Sequence, residues 1–203
     1  GISFANSNPK GGESNFGELF TDGTWGRMYD TRYWRTRYKG SHGGLASTSY
    51  GDEYGYAPGL GTWWGIYENE YGQKETSVRP SLKLTADITD WLKFSVEGNY
   101  NYYYKRNETK ELGPGYANEG GYYAMGLYTK EQTNLNANFT FNKTFGDWTV
   151  NGFLRGEYYN NIEQAMYLNT NGGLIVAGQF FIRNSRNTPG YCGKIQGEKT
   201  ILS

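Results

Sequence analysis

Between residues 134 and 159 the chain alternates. Leu135, Ala137, Phe139, Phe141 and Phe145 fall on one parity, and Asn134, Asn136, Asn138, Thr140, Asn142 and Thr144 on the other. A period of two predicts a β-strand, because successive side chains of a strand point to opposite faces. Beyond Gly146 and Asp147 a second run sets Trp148, Val150, Gly152, Leu154, Gly156 and Tyr158 against Thr149, Asn151, Phe153, Arg155, Glu157 and Tyr159. Two such runs joined by a short polar turn near 146–147 predict an antiparallel hairpin.

The same design occurs upstream. Leu82, Leu84, Ala86 and Ile88 alternate with Ser81, Lys83, Thr85 and Asp87, up to a turn near 89–90. From Trp91 the pattern resumes, with Leu92, Phe94, Val96, Gly98, Tyr100, Tyr102 and Tyr104 on one face and Lys93, Ser95, Glu97, Asn99, Asn101 and Tyr103 on the other. Pro80 has no backbone donor, which suits the start or rim of a strand better than its middle. Between the hairpins the stretch 106–127, containing KELGPGYANEGGYY, has no apolar period and reads as a long Gly-rich loop. Residues 1–76 hold the turn-rich pieces NPKGG, TDG, YKGSHGG and APGLG and read as an extended loop region. Residues 163–203 read as a further loop and the start of another strand, with the apolar run 174–182 either a buried strand or a packed loop.

Short turns therefore alternate with long loops, and an antiparallel meander collects each kind at one end of the sheet. Alternation by itself is shared by any sheet with one buried face. Charge placement separates the possibilities. Arg79, Lys83, Asp87, Lys93, Glu97, Arg155 and Glu157 all take the polar parity, and the clearest exception, Lys143, lies close to a strand end. In a transmembrane barrel a cation costs about 2–4 kcal/mol at the bilayer midplane but only about 0–1 kcal/mol near the interface. Trp91 and Trp148 beside the turns, and Tyr100, Tyr102, Tyr104, Tyr158 and Tyr159 at the other ends, sit where barrel girdles place amphipathic rings. The runs 91–104 and 130–145 exceed the roughly 9–11 residues that a tilted strand needs to cross the hydrocarbon. The expected fold is all-β: an antiparallel meander forming part of a transmembrane β-barrel, with about four main strands and long extracellular loops. Four strands do not close a barrel, since the smallest bacterial examples have about eight.

Composition narrows the chemistry. The 203 residues include 20 Tyr, 10 Phe, 6 Trp and 30 Gly, yet mean hydropathy is -0.78, so rings and flexible backbone replace the aliphatic residues of a soluble core. Basic and acidic residues balance at 20 each, with no basic stripe to neutralise phosphates, which argues against nucleic acid as a partner. One cysteine, Cys192, forms no internal disulfide, and one histidine, His42, builds no multi-histidine metal site. The sequence contains neither a basic and apolar leader nor an apolar run of about 18 residues, so any crossing is expected to be made by strands. No nucleophile, acid and base can be nominated together, and GSHGG and GLG lack the Lys and Ser/Thr ending of a phosphate loop, so no enzyme, cofactor or metal is expected.

The strand-turn-strand TADITDWLKFSVEGNYNYYYKRNE, the stretch GGYYAMGLYTKEQTNLNANFTFNKTFGDWTVNGFLRGEYY, and GGLIVAGQFFIRNS with the following NTPG together resemble the SusC/RagA-like TonB-dependent outer-membrane transporters of Bacteroidetes-type bacteria. The resemblance covers about 77–203 and, more loosely, NPKGGESNFGELF. It implies a barrel of about 22 strands with an N-terminal plug, located in the cell outer membrane. It also implies import of glycan or peptide fragments, a SusD-like surface lipoprotein as lid, and drive from TonB through an N-terminal part that this chain lacks. Under it, 1–76 is extracellular loop, 77–162 holds two transmembrane hairpins facing lipid, and 163–203 is loop and strand.

Two residue sets follow. Loop residues Trp25, Arg27, Tyr29, Trp34, Trp63, Trp64 and Tyr67 offer flat rings and directional donors to cargo, or else pack the loops and meet the lid. Lys93, Glu97, Arg155 and Glu157 are expected to face a polar lumen or plug. The competing function is a soluble or surface-exposed β-rich carbohydrate-binding or adhesin-like module, in which the 135–145 face packs on a second sheet.

Overall fold

A computed structural model of the chain describes residues 1–7, 30–48, 51–52 and 59–202. The fold is all-β around one antiparallel sheet of seven strands. The strands are β1 (Ile2–Ser7), β4 (Asn69–Val78), β5 (Ser81–Thr89), β6 (Leu92–Glu111), β7 (Tyr122–Phe145), β8 (Trp148–Leu174) and β9 (Ser185–Leu202). A separate ribbon pairs β2 (Ser47–Thr48) with β3 (Gly51–Asp52), and two short helices, α1 (Thr31–Trp34) and α2 (Leu60–Glu68), belong to the loop region.

The sheet runs β1-β4-β6-β7-β8-β9, with β5 also on β6. β4 and β5 keep one register along β6, Val78 opposite Tyr102 and Ser81 opposite Asn99, so they form a single ribbon interrupted at Pro80. Pro80 accepts a hydrogen bond from the Tyr100 N–H at 3.1 Å and has no N–H to return it. The proline thus sits inside a long strand, where one missing donor breaks the ladder without ending the pairing.

Both hairpins fold as their alternation predicts, β5 with β6 and β7 with β8. Three boundaries differ from expectation. Strand β1 and most of β4 lie within 1–76, the stretch read as loop: β1 is only six residues long, and NEYGQKETSV is polar on both faces and shows no apolar period. The loop read at 106–127 shrinks to 112–121, and β8 continues through 163–174 instead of yielding to a loop. In these stretches the strand persists by backbone pairing where apolar and polar side chains mix on each face, so hydrophobic periodicity carries little signal there. The sheet accordingly has more strands than the four expected.

Length is the unusual quantity. β7 has 24 residues and β8 27, hence about 80–90 Å at roughly 3.3 Å per residue, against a usual strand of about 5–6 residues. Directly opposed charges pin the register along the way. Lys93 pairs with Asp87 at 3.3 Å, Lys105 with Glu75 at 3.4 Å, Lys110 with Glu70 at 3.6 Å and Lys130 with Glu163 at 2.7 Å. Each exposed pair contributes at most about 1 kcal/mol, but a one-residue slip would break the whole set.

Candidate functional site: a two-faced wall and its loop cap

Side chains opposite one another across an antiparallel pair share a face, so the register defines what each side of the sheet presents. One face carries the rows Ala86-Phe94-Phe139-Leu154, Leu84-Val96-Ala137-Gly156 and Leu82-Gly98-Leu135-Tyr158. Below them, toward the tight turns, come Leu92-Phe141-Gly152 and Phe145-Trp148. Phe94 and Phe139 have ring centroids 4.5 Å apart. A side chain at Gly152 would collide with the Phe141 ring, so the glycine lets that ring lie flat on the strand. Leu82, Leu84, Leu135, Val150 and Leu154 are all exposed on this face. A contiguous apolar surface of this kind is uncommon on a soluble monomer.

The band is bounded at both ends. Near the turns, the Lys143 ammonium lies 4.5 Å from the Trp91 ring centroid and 5.1 Å from that of Phe145, so the one early exception is held against aromatic faces at the rim. At the other end the same parity passes into Lys74, Arg106, Glu108, Lys110 and Glu131. A nearly unbroken apolar run thus occupies about 11 residues of β7 and β8, the length a tilted strand needs to cross hydrocarbon, and farther along the same parity mixes Tyr102, Tyr104, Leu127, Ile162 and Met166 with those charged residues.

The opposite face is built from amides. Asn99-Asn134-Tyr159, Glu97-Asn136-Glu157 and Ser95-Asn138-Arg155 form successive rows, with Lys93 one row further on. Arg155 donates to Asn136 Oδ1 at 3.2 Å and lies 3.4 Å from Glu157. The four polar residues Lys93, Glu97, Arg155 and Glu157 therefore share the face opposite the apolar band. Phe153 is the apolar intruder on that side.

Above the band, the long-loop end is capped by a small core of its own. Ala46, Leu60 and Trp63 are buried together, with Trp34, Tyr38, Leu45 and Ile66 packed around them. Of the loop residues singled out by sequence, Trp63 is 7% and Trp64 4% exposed, and the Trp64 indole N–H donates to the Leu112 carbonyl at 3.1 Å. Trp34 packs on the same core, so these three rings are occupied in holding the loops. Tyr67 is 41% exposed while stacking on Tyr38 at 5.3 Å, and of the described set it is the ring most open to solvent. Trp25, Arg27 and Tyr29 lie outside the described residues.

Burial raises the Tyr38 phenol well above its ordinary value, and a 2.7 Å hydrogen bond to Glu68 adds to the effect. The cap is tied to the sheet by Leu45 N–H to the Pro114 carbonyl at 2.8 Å and Ala117 N–H to the His42 carbonyl at 2.9 Å. At Gly44 any side chain would strike the carbonyls of Pro114 and Gly115, so the close approach depends on glycine. An ion pair from Arg186, at the start of β9, to Glu119 at 2.7 Å ties in the strand that follows the third loop, 175–184. That loop is latched by buried Asn184, which accepts from Val176 N–H at 2.9 Å and donates to the Val176 and Gln179 carbonyls at 2.7 and 2.6 Å. The apolar run 174–182 is therefore a latched loop. Its latch was hidden in sequence because a lone Asn carries no periodic signal.

Sequence reasoning also missed a polar cluster beyond the band. Glu108 accepts from Tyr123 Oη and from Arg106 Nη2, both at 2.7 Å. Burial pushes the Glu108 carboxyl up, but the hydrogen bonds from Tyr123 and Arg106 outweigh it and hold the group below the usual carboxylate range. A carboxylate with a depressed folded pKa stabilises the fold above its unfolded value, about 4.3, and loses that contribution as pH falls through the folded value. Between pH 6 and pH 3 the protein should lose on the order of 1 kcal/mol at this site, and Glu108→Gln should lose less over the same interval. Thermal unfolding of both proteins at the two pH values measures the difference, and equal losses would remove Glu108 from the account.

Among the described residues no three His, Cys, Asp or Glu side chains gather as a metal ion would require, and no helix is long and apolar enough to cross a membrane, a fact with no bearing on strands. The chain matches no model of a known protein family and none of the curated proteins.

Proposed function

We propose that this chain is a segment of the wall of an outer-membrane β-barrel importer of the SusC/RagA-like, TonB-dependent kind. The observation that carries the reading is the apolar band: a nearly unbroken run of about 11 residues on one face of β7 and β8, amides on the other, and strands that continue far beyond it with apolar and charged side chains mixed. A sheet packed on a second sheet has no reason to confine its continuous apolar run to one end of strands this long. In a barrel wall the band faces lipid, the amide face lines the lumen, the tight turns lie on the periplasmic side and the capped loops are extracellular. The resemblance in sequence supplies the importer role, with glycan or peptide fragments as cargo, a SusD-like lipoprotein as lid and TonB as the source of drive.

The test is uptake of labelled oligosaccharides and oligopeptides by cells carrying the protein, with and without TonB, together with fractionation. Membrane association released only by detergent, and uptake lost without TonB, are the expected results. A protein recovered in the aqueous fraction without detergent overturns the reading and favours the soluble carbohydrate-binding or adhesin-like module.

A further inference from the structure

Charge is balanced over the whole chain but not over the loop cap. Between residues 30 and 39 stand Arg32, Arg35, Arg37 and Lys39 against Asp30 alone. Lys39 is neutralised by Glu68 at 3.1 Å, and Asp30 caps α1, accepting the Arg32 and Tyr33 backbone N–H groups at 2.9 and 3.2 Å. The three arginines have no carboxylate partner among the described residues. Arg32 and Arg35, three residues apart in α1 and its C-cap, lie on one side of the turn, both exposed, and like charges at that spacing repel.

Arg37 is held in place beside them. Its guanidinium stacks on the Tyr33 ring at 3.8 Å, and its Nη1 donates to the Tyr33 carbonyl at 3.1 Å and to Thr36 Oγ1 at 3.5 Å. The Nε–Nη2 edge, which can grip a carboxylate through two parallel bonds, has no partner among the described residues. A fixed, open fork next to two repelling cations is an arrangement that an anion stabilises.

Size and neighbours decide which anion. Side chains at i and i+3 start about 5–6 Å apart, a span for one small anionic group. A protein partner would cover roughly 800 Å² instead. Tyr33 remains 42% exposed despite the stacked guanidinium, so part of its ring is open beside the fork. In a uronic acid the carboxylate is bonded directly to the sugar ring, so charge and apolar ring face arrive together. In an acidic peptide a flexible stem separates the carboxylate from a polar backbone.

We propose that Arg32, Arg35 and Arg37, with the Tyr33 ring, bind the carboxylate of an acidic saccharide, an inference that rests on the importer reading above and narrows its cargo. The probe is trigalacturonate, titrated into the protein in detergent. Its methyl ester has the same rings without the charge, and triglutamate is a peptide of the same net charge. Trigalacturonate is expected to bind about tenfold or more tightly than either, and to lose about tenfold or more in Arg32→Gln/Arg35→Gln and in Arg37→Lys, which keeps the charge but not the planar fork. The Arg32 and Arg35 side chains make no hydrogen bond or ion pair among the described residues, so the double variant tests binding even if Arg37→Lys disturbs the cap. Unchanged hydrogen exchange over 30–48 checks that it stays folded. No binding of trigalacturonate, equal binding of its ester or of triglutamate, or unchanged affinity in the double variant overturns the proposal. Loss of the lid from the double variant with saccharide affinity unchanged assigns the cations to that protein partner and overturns it too. Saccharide binding without TonB-dependent uptake supports the site and removes the importer reading, whereas TonB-dependent uptake without saccharide binding does the reverse.

Discussion

Leu154→Arg is expected to abolish or sharply reduce assembly into the membrane, while Phe153→Arg, one residue away, is tolerated. The two side chains are alike in the chain itself: Leu154 is 65% and Phe153 76% exposed, and each lies in the middle of β8's lower part. They differ in parity. Leu154 shares its row with Phe139, Phe94 and Ala86, within the apolar band, and Phe153 shares its row with Thr140, Lys93 and Asp87. If the band meets lipid, an arginine at Leu154 costs about 2–4 kcal/mol, a large share of the 5–15 kcal/mol that holds a typical fold. If the band meets water, both substitutions are surface changes, within about 0.5 kcal/mol. Membrane-fraction yield and the temperature of unfolding in detergent measure the contrast. Equal behaviour of the two variants would sink the lipid-facing assignment.

Trp64→Ala should loosen the loop cap by about 3–5 kcal/mol, the usual cost of emptying a buried tryptophan site. Trp64 is nearly enclosed and its N–H is the partner of the Leu112 carbonyl at the top of β6, so truncation opens a void and leaves that carbonyl without its donor. Tyr38, with its ring edge-on to Trp64 at 6.2 Å, loses its wall as well. The expected readout is faster hydrogen exchange and easier proteolysis across 30–48 and 59–68, with the β7–β8 pairing below unchanged. Trp64→Phe should restore part of the packing but not the hydrogen bond, and fall between. Cargo uptake lost in Trp64→Ala with protection of 30–48 intact would instead make the ring a direct contact, contrary to its burial.

The lower half of the sheet was legible in the sequence because every strand there divides apolar from polar side chains. Where Leu135, Phe139 and Leu154 take one face and Asn136, Asn138 and Arg155 the other, the two-residue period shows position by position. That rule fails above Tyr104. Arg106, Glu108 and Lys110 share a face with Met125 and Leu168, and on the opposite face Asn107 and Thr109 share rows with Gly126-Tyr167 and Ala124-Asn169, so both faces are mixed, no periodic signal remains and 106–111, 122–127 and 163–174 resembled loop. The tryptophans of the cap posed a different difficulty. Sequence exposes their chemistry but not their neighbours, and Trp63 and Trp64 become core only because α2 turns both toward Ala46 and Leu112.

By itself, then, the sequence determined the two hairpins, their turns, the division of their side chains between two faces and the polar parity of Lys93, Glu97, Arg155 and Glu157. All of these follow from local alternation, which the backbone geometry of a strand enforces residue by residue. The tertiary structure alone decided how far the strands continue, that β4 and β5 are one ribbon across Pro80, and which loop residues are buried. Those outcomes depend on backbone pairing and on contacts between segments far apart in the chain, such as Gly44 against Pro114 and Asn169 opposite Gly190. Such contacts leave no period in the sequence, because the partner that stabilises each residue is chosen by the fold.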